Sequence, residues 1–289
     1  MTEFLFRDDS YLQSTSAQVV EVTADGGVIL DRTVFYATSG GQPGDSGQIT
    51  RSDGSQVEIM TAVHPDGDKT RIVHVMADGS TAPQTGETVT VEINWDRRYR
   101  LMRMHTALHL LSVVFSFPVT GGSIGEDKGR LDFDMPEVPD DLPALEAKLN
   151  AMIEADHTVT SEWISDAEMA AQADLIKTMK VKPPMGQGKV RLVRIGDVDL
   201  QPCGGTHVAG TAEIGRVAQG KRKRANRTGA SACYLPEKRP DVSEWAARIA
   251  GHHWPRVRSG RVALPRRSVV RNGGRKARNN CRLPEWHRP

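Results

Sequence analysis

Two short runs of potential metal ligands stand nearly a hundred residues apart in this 289-residue chain. His105 and His109 enclose Thr106, Ala107 and Leu108, and Cys203 and His207 enclose Gly204, Gly205 and Thr206. On a helix, two imidazoles spaced i, i+4 lie on one face about one turn apart, near enough to share an ion. A thiolate and a third imidazole from a distant turn would complete a tetrahedral nitrogen–sulfur set of the kind zinc takes. Either run alone also fits an ordinary helix face or a glycine turn; their joint occurrence is what points to a metal. The first run lacks the glutamate base of a zinc-protease helix, because Thr106 and Ala107 follow the first histidine.

These ligands need elements to position them. Residues 1–92 are β-rich: alternating segments at 17–23, 27–31, 47–51, 57–63, 71–76 and 88–93 are separated by turns such as Asp53-Gly54 and Asp66-Gly67. Short strands at this spacing fit a small barrel or sandwich. Among them lies a loop, residues 35–47, with four glycines between positions 40 and 47, where backbone can approach a ligand closely. Residues 97–115 carry helical spacing, with Leu101, Met104, Leu108, Leu111 and Phe115 sharing an apolar face and the histidine pair beside it. A strand ending near 134, helices over 142–156 and 166–178, and a strand over 189–195 follow. Helices and strands without strict βαβ alternation give an α+β layer fold.

No apolar run approaches the roughly 20 residues a membrane span needs, and the first ten residues, MTEFLFRDDS, lack the apolar core of a secretory signal. Three cysteines, Cys203, Cys233 and Cys281, make no disulfide framework, so a reducing cytoplasm is expected. The net charge of +2 conceals two opposite parts: residues 221–289 hold 19 Lys+Arg against 4 Asp+Glu, or +15, which leaves −13 for the preceding 220 residues.

Four stretches together resemble one family. HTALHLL (105–111), SIGEDKGRLDFD (123–134), VKPPMGQGKVRLVRIGDVDLQPCGGTHV (181–208) and the Gly-rich FYATSGGQPGDSG (35–47) are similar, in the same order, to the AlaX proteins, free-standing relatives of the alanyl-tRNA synthetase editing domain. The resemblance covers residues 1 to about 220 and is closest to the longer AlaX type, which has the Gly-rich N-terminal part. It implies a small N-terminal β-barrel (1–92) followed by an α+β editing domain (93–220) with helices packed on an antiparallel sheet, and a basic tail (221–289). It implies hydrolysis, in trans, of the ester of mischarged tRNA-Ala, chiefly Ser-tRNA-Ala, with Zn2+ held by His105, His109, Cys203 and His207. Two other readings stay open: a zinc-stabilised RNA-binding module without catalysis, and a zinc hydrolase of another ester. Four protein ligands ordinarily close a zinc site. Either one ligand is loose, or the coordination expands with substrate, or zinc only shapes the pocket.

Rejecting alanine while accepting serine requires a group that bonds the serine hydroxyl, left unpaired when alanine binds. Thr120 is the first candidate for substrate binding, since family members carry a threonine near there, with Thr106 and Thr206 next and Gln42 in the Gly-rich loop as a further contact; each equally fits a local turn or backbone bond. Arg97, Arg98, Arg100 and Arg103 are expected to form a phosphate-binding patch leading into the histidine helix, and Lys177, Lys180 and Lys182 precede the second run; the plain alternative is a solvated helix face.

The tail carries six prolines and three of the five tryptophans without any sustained period. Bases that encode residues 223–231 can, read two positions later, encode KGKQNRRV, which resembles the last editing strand of the family. The hypothesis is that a frameshift near Gly220 and Lys221 replaced that strand, leaving 221–289 non-native or disordered and the editing sheet short of an edge. Resequencing that returns an intact frame, with relatives sharing the tail, would overturn it.

Overall fold

A computed structural model of the chain describes residues 1–137, 139–179, 188–222 and 229–234. Strands β1 (Glu3–Phe4), β2 (Ser14–Val22), β3 (Val28–Leu30), β4 (Arg32–Thr33), β5 (Gly47–Thr50), β6 (Gln56–Val63), β7 (Val73–Met76) and β8 (Thr88–Ile93) precede helix α1 (Trp95–Phe115). There follow β9 (Val119–Ile124), β10 (Lys128–Phe133), α2 (Leu142–Glu154), β11 (Val159–Ser165), α3 (Asp166–Ala171), β12 (Lys189–Ile195), β13 (Asp199–Pro202), β14 (Ala218–Arg222) and β15 (Gly229–Tyr234). The class is α+β, as the order of elements suggested.

Strands β2, β3, β7, β6, β5 and β8 close into a barrel in that order, so none of the six is left with an open edge. Strand β8 shows the pattern that drives closure: Val89, Val91 and Ile93 are buried while Thr88, Thr90 and Glu92 are exposed. His74 is fully buried inside, its Nε2 2.8 Å from the Thr33 hydroxyl and its Nδ1 2.9 Å from the Val28 carbonyl. Burial holds its pKa down to about 4.

Beyond the barrel, β14, β15, β10 and β9 form one antiparallel sheet, and β11, β12 and β13 another. Strand β15 pairs with β10 from Lys128↔Tyr234 to Phe133↔Gly229. This corrects the expectation that the editing sheet loses its closing strand: residues 229–234, which lie beyond the expected boundary at 220, supply one. The rest of the tail, with Cys281, lies outside the described residues. The segment expected as one helix over 166–178 is only the six-residue α3, fixed by a capping box between Ser165 and Glu168, followed by the 3-10 turn Ala173–Leu175. Strand β11 was not anticipated. Among the described residues no helix is long and apolar enough to cross a membrane.

Helix α1 departs most from expectation. The apolar residues of its stripe are buried, but so is nearly every residue from Leu101 to Ser112. It is surrounded by α2, β9, β10, β13 and the turn Thr211–Ile214. The expected phosphate patch is therefore corrected for Arg98 and Arg103, which are buried, while Arg97 and Arg100 stay part-exposed. Arg98 is wholly buried, with Nε 3.0 Å from both Asp45 oxygens, Nη1 donating to the Ser10 carbonyl (3.0 Å) and Nη2 to that of Val34 (2.6 Å). Arg103 is buried and donates to the Ile214 carbonyl at 2.6 and 3.0 Å. Arg97 donates to the Gly44 carbonyl (2.7 Å) and pairs with Glu126 at 3.3 Å, and Arg100 pairs with Asp127 at 2.5 Å. An arginine sunk in a core solves the problem of tying the Gly-rich loop to α1; it cannot also meet a phosphate.

Asp45→Ala strands the Arg98 charge in that core. Urea unfolding is expected to show a loss of about 3–5 kcal/mol; a loss below about 1 kcal/mol would contradict the role given to the pair. His74 sets a pH dependence. Its folded pKa of about 4 lies below the ordinary 6.5, so only the unfolded chain takes up this proton between those values. Its contribution is complete above pH 6.5 and falls by roughly 3 kcal/mol as pH drops through about 4. His74→Gln should flatten that part of a stability–pH profile, and an unchanged slope would refute this.

Candidate metal centre and cleft

Asn94 starts α1 by accepting a bond from the Arg97 amide at 3.1 Å. Three turns on, His105 and His109 project together, their ring centres 5.3 Å apart. The second pair arrives from the end of β13. There the Cys203 amide donates to the Arg191 carbonyl (3.0 Å), and Arg191 Nη1 donates back to the carbonyls of Cys203 (3.2 Å) and Gly205 (2.9 Å), clamping the turn from β12. Gly205 is required by contact: a Cβ there would stand 2.6 Å from His105 Nδ1. The second glycine of the turn therefore makes room for a ligand of the other pair.

The four ligand atoms all lie within 4.8 Å of one another. Cys203 Sγ is 3.5 Å from His105 Nε2 and 3.3 Å from His207 Nε2. Each ring is fixed from behind. His105 Nδ1 donates to Gln42 Oε1 (2.9 Å), His109 Nδ1 to Asp199 Oδ2 (3.1 Å) and His207 Nδ1 to Thr106 Oγ1 (3.2 Å), whose own proton goes to the Met102 carbonyl (2.9 Å). With every Nδ1 committed to oxygen, it is Nε2 that each ring presents to the shared centre, which is how a protein orients imidazoles on a metal. Asp199 is itself held by Lys177 Nζ (2.6 Å) and Gln201 Nε2 (2.8 Å).

Charge follows geometry. Burial alone would raise the Cys203 thiol, but His105 and His207 hold it well below its usual value, favouring thiolate. Burial, then the neighbouring His105, pushes His207 down to about 3. Burial disfavours a charge on His109, yet its bonds to Asp199 and Cys203 outweigh it and bring it up to about 9. Burial would also raise Asp199, but His109 and then Lys177 keep it below the ordinary carboxylate value. One thiolate and three convergent imidazole nitrogens form a donor set that fits zinc and excludes the oxygen-loving calcium and magnesium ions.

His105, His109 and Cys203 open onto a cleft of about 240 Å3 whose walls also include Thr120, Gly122 and Tyr36. Thr120, on β9, faces it half-buried and donates its hydroxyl proton to the Asp132 carbonyl (3.1 Å). Gln42, Thr106 and Thr206 stand elsewhere: all three are buried behind the ligands and none lines the cleft. Gln42 joins His105 to Thr206, donating from Nε2 to Thr206 Oγ1 at 2.9 Å. Its loop is pinned to β9, where the Ile124 amide donates to the Gly41 carbonyl (2.9 Å); Gly41, at φ +86°, adopts a backbone shape that glycine tolerates best. Lys177 lines the cleft, while Lys180 and Lys182 lie outside the described residues. Asp199 and Arg191 were missed by sequence reasoning. A signal existed for Asp199: it and Gln201 alternate along β13 as the buried positions, polar where apolar residues belong.

Two family models match the chain: "tRNA synthetases class II (A)" over residues 7–97 and "Threonyl and Alanyl tRNA synthetase second additional domain" over residues 190–227. Alanyl-tRNA editing protein AlaX-M of Methanosarcina acetivorans is 37% identical over 221 residues, covering 74% of this chain and 90% of that protein. AlaX-L of Pyrococcus horikoshii is 34% identical over 223 residues, covering 74% of this chain and 53% of its own length. An alanine–tRNA ligase of Pyrobaculum aerophilum is 33% identical over 289 aligned positions, 92% of this chain and 31% of the ligase.

Asp199→Ala frees His109 to rotate and removes the partner of its Nδ1. Zinc affinity, measured by competition with a chromogenic chelator, is expected to fall about 10- to 100-fold. Wild-type affinity in a folded variant would contradict the orienting role.

Proposed function

The chain belongs to the AlaX family of alanyl-tRNA editing proteins, and from that premise we propose that it is a zinc-dependent deacylase that cleaves, in trans, the ester of tRNA-Ala charged with serine. The single observation carrying this reading is the convergence of three imidazole Nε2 atoms and one thiolate, each imidazole with its Nδ1 committed, at the wall of a cleft. A zinc ion held by His105, His109, Cys203 and His207 would supply Lewis acidity to an ester that is already activated.

The remaining work falls to the protein. The cleft orients the aminoacyl end and limits the water around it. Thr120 has spent its proton on the Asp132 carbonyl, so its oxygen offers an acceptor to the serine hydroxyl. Alanine leaves that acceptor unpaired, and such a loss discriminates far better than size. Gln42 and Thr106 are positioning residues in this scheme, acting through His105 and His207. A second reading, structural zinc in a non-catalytic tRNA-binding module, draws support from the full set of four protein ligands. The first is favoured because three of the four line the cleft and His207 alone does not. A deacylase of this kind works where aminoacyl-tRNA is made, in the cytoplasm.

A deacylation time course separates the readings. Serine-charged tRNA-Ala should be hydrolysed and alanine-charged tRNA-Ala spared, with turnover lost on chelation and restored by zinc. Thr120→Val is expected to lower kcat/KM for the serine ester by about 10- to 100-fold. Binding of tRNA without turnover would favour the structural module. Equal cleavage of simple esters would favour a general hydrolase.

A further inference from the structure

The arginines expected from sequence to meet RNA are engaged within the fold or by acidic neighbours, and Lys177 is committed to Asp199. Two other cations face the cleft from the barrel. Arg7, in the turn Leu5–Arg7 after β1, and Lys69, in the loop between β6 and β7, line the same cavity as His105, His109 and Cys203. Neither was singled out by spacing or motif. Arg7 is half-buried with its guanidinium 4.5 Å from the centre of the Phe4 ring, a seat that orients it without neutralising it. His64 lines the same wall, 6.3 Å from Phe4 by ring centres, and is held by the Arg71 carbonyl at 2.8 Å.

Among the described residues neither Arg7 nor Lys69 has an ion-pair partner. Acids are near but occupied or turned to solvent. Asp8 is exposed, Asp66 is exposed, and Asp68 accepts from the amide and hydroxyl of Thr70 at 2.9 and 2.6 Å. Burial, then the charge of Arg191, pulls the Arg7 guanidinium below its ordinary value, and Tyr36 and Asp8 offset this only in part. Arg191 is itself buried with an Nε that has no hydrogen-bond partner. A half-buried guanidinium at the cleft wall, with no ion-pair partner among the described residues, is a seat that an anion entering the cleft would complete.

We propose that Arg7 and Lys69 form a phosphate subsite on the barrel wall of the cleft, holding the sugar-phosphate backbone of the RNA 3′ end while its ester lies at the metal wall. The inference rests on the deacylase reading and adds the contact that aims the substrate. A guanidinium can take two oxygens of one phosphodiester, and an ammonium gives a point charge to the next, without reading any base.

The test is steady-state deacylation of serine-charged tRNA-Ala by the full chain at several salt concentrations, comparing the wild type with Arg7→Gln, Lys69→Gln and the double variant. For Arg7→Gln, KM is expected to rise about tenfold, as for loss of one charge-assisted bond. The loss should fall on KM and not on kcat, and the salt dependence of log KM should weaken by about 0.7 per contact removed. Arg7→Lys should recover part of the loss. Unchanged KM and salt slope in the double variant, or a fall in kcat alone, would overturn the subsite. If the wild type shows no turnover, the deacylase reading fails, and fluorescence anisotropy with uncharged tRNA-Ala then judges the subsite: weaker, less salt-dependent binding by the double variant supports it, and unchanged binding refutes it.

Discussion

Three imidazoles aim at one sulfur because each is gripped from behind by an oxygen from a different part of the chain. Gln42 comes from the Gly-rich loop of the barrel, Asp199 from β13, and Thr106 from α1 itself. A single such bond contributes only about 1 kcal/mol, but together they fix three tautomers and three ring orientations. This constraint explains why the barrel and the antiparallel sheets must be locked together. Gln42 is useful only if its loop keeps a fixed distance from α1, and the Arg98–Asp45 pair, three positions beyond Gln42 in that loop, sets that distance from within the core.

The turn carrying Cys203 and His207 is under matching restraint. Arg191 clamps its start. Just past its end, Glu213 accepts from the hydroxyls of Tyr11 (2.7 Å) and Tyr99 (2.9 Å) and from the amides of Ala209 and Gly210, binding the N-terminal segment, α1 and the ligand turn at one buried carboxylate. Burial raises its pKa, and the hydrogen bonds offset that rise only in part. The conserved quantity across these contacts is position. Buried polar groups usually cost stability, and here they are concentrated around one site that needs its ligands in one place.

Much of this could be read from residue types alone. Period-two alternation marked the barrel strands, as Val89, Val91 and Ile93 illustrate, and period 3.6 marked α1. The four ligand residues stood out because histidine and cysteine at i, i+4 in two places is an unusual coincidence. What stayed hidden depended on contacts between distant segments. Arg98 and Arg103 read as part of a phosphate-binding patch because sequence records a charge and not the Asp45 carboxylate or Ile214 carbonyl folded against it. Thr106 read as a substrate contact because a polar residue beside a ligand gives no sign of which side of the ring it occupies, and Gln42 because a Gly-rich loop gives no sign of what its side chains meet. Strand β15, in a tail without period, is defined by its pairing with β10, a non-local property.

The whole arrangement turns on whether one ion is bound by three nitrogens and one sulfur. Cobalt substitution tests this most directly, because the intensity of the visible bands reports geometry and a thiolate-to-metal charge-transfer band in the near ultraviolet reports the sulfur. The expected result is one cobalt per chain with intense tetrahedral bands and a charge-transfer band that vanishes in Cys203→Ser. Weak octahedral bands, or a charge-transfer band that survives loss of Cys203, would contradict the shared centre.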